Sequence, residues 1–277
     1  MRGVGKTSLL ADITSNLVKK DNWIIVYLAM TNDLLETLIQ IIYREAGSKI
    51  KKALNTIDEV KETPEIVNLA SIYQIMVLKE YPINIMMTGL TKNVSELQNN
   101  DVLTFLLRSG RIPLGPLDAF DIQFRYQKAF ERANKKISEA NLMRMTKLTK
   151  GYAYAFQDLG YYVWKHATDH ITESDIDDIL PLFKNDLYKN AYTKIISELS
   201  PTDQKFLMIM AKSDNDVVEI SHIRKQMNKS SNYVSQYRQR LIDSQVIIEA
   251  GYGKVSFSLP FMKEFLLKAA EFYNIGE

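Results

Sequence analysis

The sequence predicts an α/β domain built on a parallel sheet, followed by a helical segment and a C-terminal winged helix-turn-helix. Three observations predict it. A glycine-rich opening, GVGKT, runs straight into a helical pattern; apolar strand-length runs then alternate with helical stretches; and the last third reads as three helices and a hairpin. The 277 residues suit two modest domains or one with an appendage. Expected boundaries are 1–117 for the α/β core, 118–199 for the helical segment and 200–277 for the winged helix.

Along the first segment, Leu9, Leu10, Ile13, Leu17 and Val18 recur at helical spacing between Thr7 and Lys20. Ile24–Met30 is a continuous apolar run of strand length, Asp33–Ala46 is helical, and Ala53–Val60 is a second strand. A helix over Pro64–Glu80 and a strand over Ile83–Leu90 follow. Continuous apolar strands separated by helices indicate a parallel sheet covered on both faces.

Beyond Asp118 the segments DAFDIQFRYQKAFERA, SEANLMRMTKLT and YAYAFQDLGYYVWKHAT are all helical in pattern, with no strand between them. The aromatic residues Tyr152, Tyr154, Phe156, Tyr161, Tyr162 and Trp164 read as core. A connector helix spans Ser174–Leu199, with Thr172 and Asp175 placed to cap it and Pro181 placed to kink it. The last third restarts at Ser200-Pro201, a cap followed by proline at the first helical position. Helices are expected over Asp203–Lys212, Ser221–Met227 and Asn232–Ser244, the last capped by Ser230 or Ser231. Val246–Ala250 and Lys254–Leu259, split by Gly251-Tyr252-Gly253, read as a hairpin.

Composition narrows the function classes. With 46% hydrophobic and 25% charged residues and a net charge of +2, no global charge argument for nucleic acid follows, so any basic surface must be local. The absence of cysteine excludes disulfides, thiolate metal sites and a cysteine nucleophile, and three scattered histidines argue against a histidine metal site. The longest apolar runs fall far short of the roughly 20 residues that span a bilayer. No signal peptide is legible, so no membrane partner is expected and the cytoplasm is the expected compartment.

The chemistry centres on the first residues. GVGKT supplies the end of the phosphate-loop pattern G-x-x-x-x-G-K-[ST], whose first glycine would fall immediately before Met1. In such a loop, backbone N–H groups and a helix N-terminus converge on phosphate oxygens, lysine adds a mobile charge and Ser/Thr a ligand to Mg2+. Gly3, Val4, Gly5 and Ser8 would form the cradle, Lys6 would meet the phosphates and Thr7 the metal. Asp58 and Glu59 end the second strand: an aspartate there can hold hydrated Mg2+, and the glutamate can polarise water for attack on a γ-phosphate. Thr88, at the end of the third strand, is placed to orient that water. The string Thr91-Lys92-Asn93-Val94 lacks the aspartate of a guanine-specificity motif, which favours ATP over GTP. The predicted class is therefore an α/β P-loop NTPase using ATP and Mg2+.

In the last third, Asn232, Tyr233, Gln236, Arg238 and Arg240 lie on the third helix, a polar face rich in base-edge donors and acceptors. Lys225, Lys229 and Lys254 could meet phosphates, giving a duplex-DNA surface. Acidic residues nearly balance basic ones in this third, so a protein-contact or dimerisation module is the alternative.

The blocks RGVGKTSLL, TIDEV, IMMTGLTKNVSEL, NNDVLTFLLRSGRIPLGPLD and GYAYAFQDLGYYVW together resemble the AAA+ ATPases of the replication-initiator and origin-recognition type. They are most similar to the prokaryotic ATP-binding members that pair this module with a helical lid and a C-terminal winged helix. The resemblance implies that Lys6 and Thr7 are the Walker A pair, that Asp58 and Glu59 are Walker B, and that Thr88 is sensor 1. It also implies that Arg108 and Arg111 fall where an arginine reaches the γ-phosphate of a neighbouring subunit in a homo-oligomer.

Three departures are expected to matter. Gly151-Tyr152-Ala153-Tyr154 stands where a sensor 2 arginine is usual; the stretch between Met30 and Asp58 is short; and the strand before Walker A is missing. The last leads us to expect an earlier natural start, with Met1 internal; failing that, the chain would be an inactive remnant. A signalling or defence NTPase of the related STAND group, with a winged helix that contacts protein, is the alternative function.

Overall fold

In a computed structural model, the structure describes residues 3–20, 22–30, 33–46 and 52–273. Met1, on which the expectation of an earlier start turns, lies outside the described residues. The chain divides into two compact units, Gly5–Leu114 and a second made of Met1–Val4 with Gly115–Glu277.

In the first unit, α1 (Lys6–Val18) leads to β1 (Trp23–Leu28), α2 (Leu34–Ala46), β2 (Lys52–Ile57), α3 (Pro64–Leu78), β3 (Ile83–Met87) and α4 (Thr91–Gln98), then a 3-10 turn at Thr104–Arg108. The three strands pair in parallel in the order β1-β2-β3, with Ile24 beside Ala53 and Ala53 beside Ile83. The strands end two or three residues earlier than their apolar runs suggested, because those runs continue as the loops that carry Asp58 and Thr88. The central strand is buried from Ala53 to Ile57, even at Asn55, whose Nδ2 donates to the Asn84 carbonyl at 3.2 Å. Val26, Leu38, Ile57, Val60, Ile66 and Leu69 anchor the core beneath it. Helix α3 starts where Thr63 accepts from the Ile66 N–H and Pro64 occupies the first turn, where a missing N–H costs nothing.

The second unit runs α5 (Ala119–Arg132), β4 (Lys136–Ile137), α6 (Glu139–Thr149), α7 (Ala153–His166), β5 (His170–Ile171) and α8 (Glu173–Asp186). A π-helical stretch at Leu187–Tyr192 joins α8 to α9 (Thr193–Ser197). Then come α10 (Pro201–Lys212), β6 (Val217–Glu219), α11 (Ile220–Met227), α12 (Ser231–Asp243), β7 (Ile247–Glu249), β8 (Lys254–Phe257) and α13 (Met262–Tyr273). One core, from Ile122 on α5 to Ala269 on α13, runs through all of it, so the expected second and third segments pack as one body.

Three differences from the sequence expectation have physical causes. The two-residue strands β4 and β5 pair in parallel where no strand was expected, and β6 adds a third strand to the hairpin in the order β6-β8-β7. Strands of two or three residues are too short to leave an alternating pattern. The expected single connector helix passes Pro181 inside α8 but changes at Leu187 to the wider π turn, a bulge within a helix that local patterning does not encode. Tyr161 and Trp164, expected in the core, are 51% and 47% exposed, since they share the outward side of α7. The expected caps are present: Thr172 with Asp175, and Ser200 with Asp203, each form a reciprocal capping box, and Ser230 caps α12.

Candidate functional site

The site in the first unit is built from a helix start and two strand ends. Gly5 caps α1 with φ 90° and offers no side-chain acceptor to the first turn of the helix, the end at which an α-helix attracts anions. A residue with a Cβ would be strained in that left-handed conformation. Lys6 and Thr7 follow at once, on the first turn of α1. Asp58 leaves the end of β2, and Thr88 the end of β3. Two backbone bonds hold those ends together: Thr88 N–H to Ile57 O at 2.9 Å and Val60 N–H to Thr88 O at 2.8 Å.

The Asp58 carboxylate gathers the site. One oxygen accepts from the Thr7 hydroxyl; the other accepts from the Thr88 hydroxyl and from the Glu59 N–H, the latter at 2.9 Å. Partial burial pulls the Asp58 pKa up, but the hydrogen bonds from Thr7, Thr88 and the Glu59 backbone, with the charge of Lys6, outweigh it and hold the group below the ordinary aspartate value. An ionised carboxylate, a hydroxyl and a nearby ammonium fit a hydrated divalent cation and the phosphates it accompanies. Glu59 is exposed and sits at φ 54°, a conformation that turns the chain sharply after Asp58.

The remaining expected residues are placed as follows. Ser8 is exposed on α1. Gly3 and Val4 belong to the second unit, where the Gly3 carbonyl accepts from the Tyr154 N–H at 3.0 Å and a Cβ on Gly3 would lie 2.5 Å from the Tyr152 Oη. Arg108 ends the 3-10 turn and Arg111 follows in an extended stretch; both are exposed, and neither is hydrogen-bonded to the Asp58 cluster. Tyr154, where sensor 2 was sought, is hydrogen-bonded to the Asn190 side chain.

On the C-terminal surface, Asn232, Gln236 and Lys254 are exposed, and Tyr233 is half-buried, its ring 4.9 Å from that of Tyr237. Arg238 and Arg240 are engaged within the fold. The Arg238 guanidinium donates to Glu249 at 2.6 Å, and that of Arg240 to Asp203 at 2.8 Å, where Asp203 is 1% exposed. Arg224, Lys225 and Lys229, by contrast, line a shallow depression beside Ser221, His222 and Asn228 and are all exposed. Sequence reasoning passed over Arg224; its position directly before Lys225 on a short polar helix was the available signal.

The parallel sheet, the helix start after Gly5 and the threonine-bound aspartate belong to an α/β fold that solved structures share. The Walker-type ATPase PABY2304 of Pyrococcus abyssi superposes with a TM-score of 0.67 at 15% identity, covering 96% of this chain and 89% of that one. The RuvB Holliday junction branch migration motor of Thermotoga maritima does so with a TM-score of 0.51 at 15% identity, covering 92% and 81%. At these identities the likeness speaks for the fold alone. A family model described as a domain of unknown function, DUF8462, matches residues 189–266. No curated protein matches the chain. Among the described residues no helix is long and apolar enough to cross a membrane.

Proposed function

We propose that the chain is an ATP-dependent switch, in which Mg·ATP bound at the Asp58 cluster governs DNA contact by a winged helix formed by α10–α12 and β6–β8. The observation that carries this is Asp58 held between Thr7 and Thr88. Residues 51 and 30 positions apart from it meet at one ionised carboxylate, as a phosphate loop and its metal-binding aspartate must.

In this reading Thr7 and Asp58 hold Mg2+, while Lys6 and the α1 N-terminus hold the phosphates. Bound magnesium supplies charge neutralisation at the β- and γ-phosphates. Glu59 accepts a proton from water and Thr88 orients it, while the depressed pKa of Asp58 keeps that carboxylate ionised at neutral pH. Arg108 and Arg111 are proposed to act across a subunit boundary. Residues 118–199 serve as the lid.

For DNA, Asn232 and Gln236 read base edges, and Arg224, Lys225, Lys229 and Lys254 meet phosphates. RuvB, by its description, is a branch migration motor, and the fold shared with it supports a nucleic-acid role. The internal pairing of Arg238 and Arg240 favours a second reading in which α12 contacts protein, as in a signalling or defence NTPase.

Two measurements decide. Lys6→Ala is expected to abolish binding of a fluorescent ATP analogue; unchanged affinity overturns the switch. Charge reversal at Lys225 and Lys229 is expected to weaken duplex-DNA binding and flatten its salt dependence by about two in log–log slope. A DNA affinity insensitive to both salt and these changes establishes the protein-contact reading.

A further inference from the structure

An apolar groove of about 810 Å³ lies in the second unit, between α6 on one side and β8 with the start of α13 on the other. On the α6 side, Ala140, Met143 and Lys147 recur at spacings of three and four and form one helical stripe, and Lys150, in a left-handed conformation with φ 48° just past the helix end, extends that wall. Met143 is 42% exposed on one lip, and Leu267, on α13, is 37% exposed on the other. Phe261 forms the opposite wall in a left-handed conformation with φ 57°. Such a conformation in an aromatic residue persists only where the surroundings over-determine it. Here the Phe183 ring packs edge-on at 6.2 Å and the Lys184 ammonium sits 4.5 Å from the Phe261 ring centre.

The charges on the groove are unevenly answered. Its acids both have cations: Asp216 pairs with Lys263, and Glu264 with Lys184 and Lys268. Arg144 pairs with Glu173 and Asp177. Lys147 and Lys150 pair with no carboxylate among the described residues, and the Lys150 ammonium reaches only the Phe257 carbonyl, at 3.4 Å. Two unanswered positive charges beside an apolar trough favour a ligand that is apolar on one face and acidic along its edge.

We propose that this groove docks an amphipathic helix of a partner protein whose apolar face carries glutamate or aspartate along one edge. The apolar anchors enter between Met143 and Leu267, and the acidic edge meets Lys147 and Lys150. The eleven residues of α6 span about 16 Å, room for roughly three turns of a helix laid alongside. A pliable methionine on the lip suits an adaptable apolar contact. This inference is independent of nucleotide binding.

The test uses the full chain and three fluorescein-labelled helical peptides of about 15 residues. One has a leucine face edged by glutamates, one has lysines in place of the glutamates, and one keeps the glutamates but scrambles the leucines. The first is expected to bind at least about tenfold tighter than the others, by fluorescence anisotropy. Met143→Glu with Leu267→Glu, both at exposed positions, should remove that binding while the circular dichroism spectrum is unchanged. Lys147→Glu with Lys150→Glu should shift the preference to the lysine-edged peptide. Equal binding of all three peptides, no binding of the first, or an unchanged preference in the lysine variant overturns the proposal. So does a dimer of the native chain that Met143→Glu dissociates, since the groove would then belong to a second copy.

Discussion

At the scale of single residues, Asp203 and Arg240 show how a polar surface position can be tied into the core. The Asp203 Oδ2 accepts from the Ser200 N–H, the Ser200 hydroxyl and the Arg240 guanidinium, while Oδ1 is buried without a partner. Removing the guanidinium leaves a buried carboxylate with less compensation. Arg240→Ala should therefore cost about 1.5–3 kcal/mol in urea denaturation, the range for hydrogen bonds to charged groups. A loss under about 0.5 kcal/mol would show that solvent screens the pair at the half-exposed arginine. This pairing was not legible in the sequence, because Asp203 lies 37 residues from Arg240 and Glu249 lies 11 from Arg238, and no local pattern links such positions. The Asp58 cluster was legible for the opposite reason: a glycine-flanked helix start, an aspartate and a threonine at strand ends are positioned by the helix and strands themselves. Arg108 and Arg111 rested on resemblance alone, and nothing in the Gly5–Leu114 unit draws either into that cluster.

At the scale of elements, α7, α8 and the π-helical turn after α8 enclose a pair of acids. Burial lifts the Asp158 carboxyl first, the nearby charge of Asp186 adds to it, and its pKa rises from 3.8 to about 7. Tyr162 donates to Asp186, and Tyr154, Tyr162 and Tyr126 are the tyrosines that feel the Asp158 charge. A carboxyl whose pKa is raised by folding holds its proton more tightly in the folded state. The contribution of this group to stability is thus greatest at low pH and declines as pH rises from about 4 through about 7. Asp158→Asn should raise the melting temperature at pH 8, change it little at pH 5, and flatten the dependence between. An unchanged profile would mean that Asp158 does not titrate in this window. The alternation of β1, α2, β2, α3 and β3 was readable from apolar runs and caps, whereas β4, β5 and the π turn depend on partners brought by tertiary packing.

At the scale of the whole molecule, the two units have separate cores that share no residue: one under β1–β3, the other from Ile122 to Ala269. Calorimetry is expected to resolve two transitions. Mg·ATP at about 100 times its dissociation constant should stabilise the unit that holds Asp58 by roughly 2.7 kcal/mol, and Lys6→Ala should remove that gain. A single transition unaffected by nucleotide would contradict both the separation of cores and the site.

The Asp203 carboxylate has an evolutionary consequence. It caps α10 and also anchors an arginine on α12, so position 240 cannot drift freely. Exchanging that arginine would weaken the start of a neighbouring helix, and adaptation of the surface should run instead through Asn232, Ser235 and Gln236, which are exposed and carry no such debt.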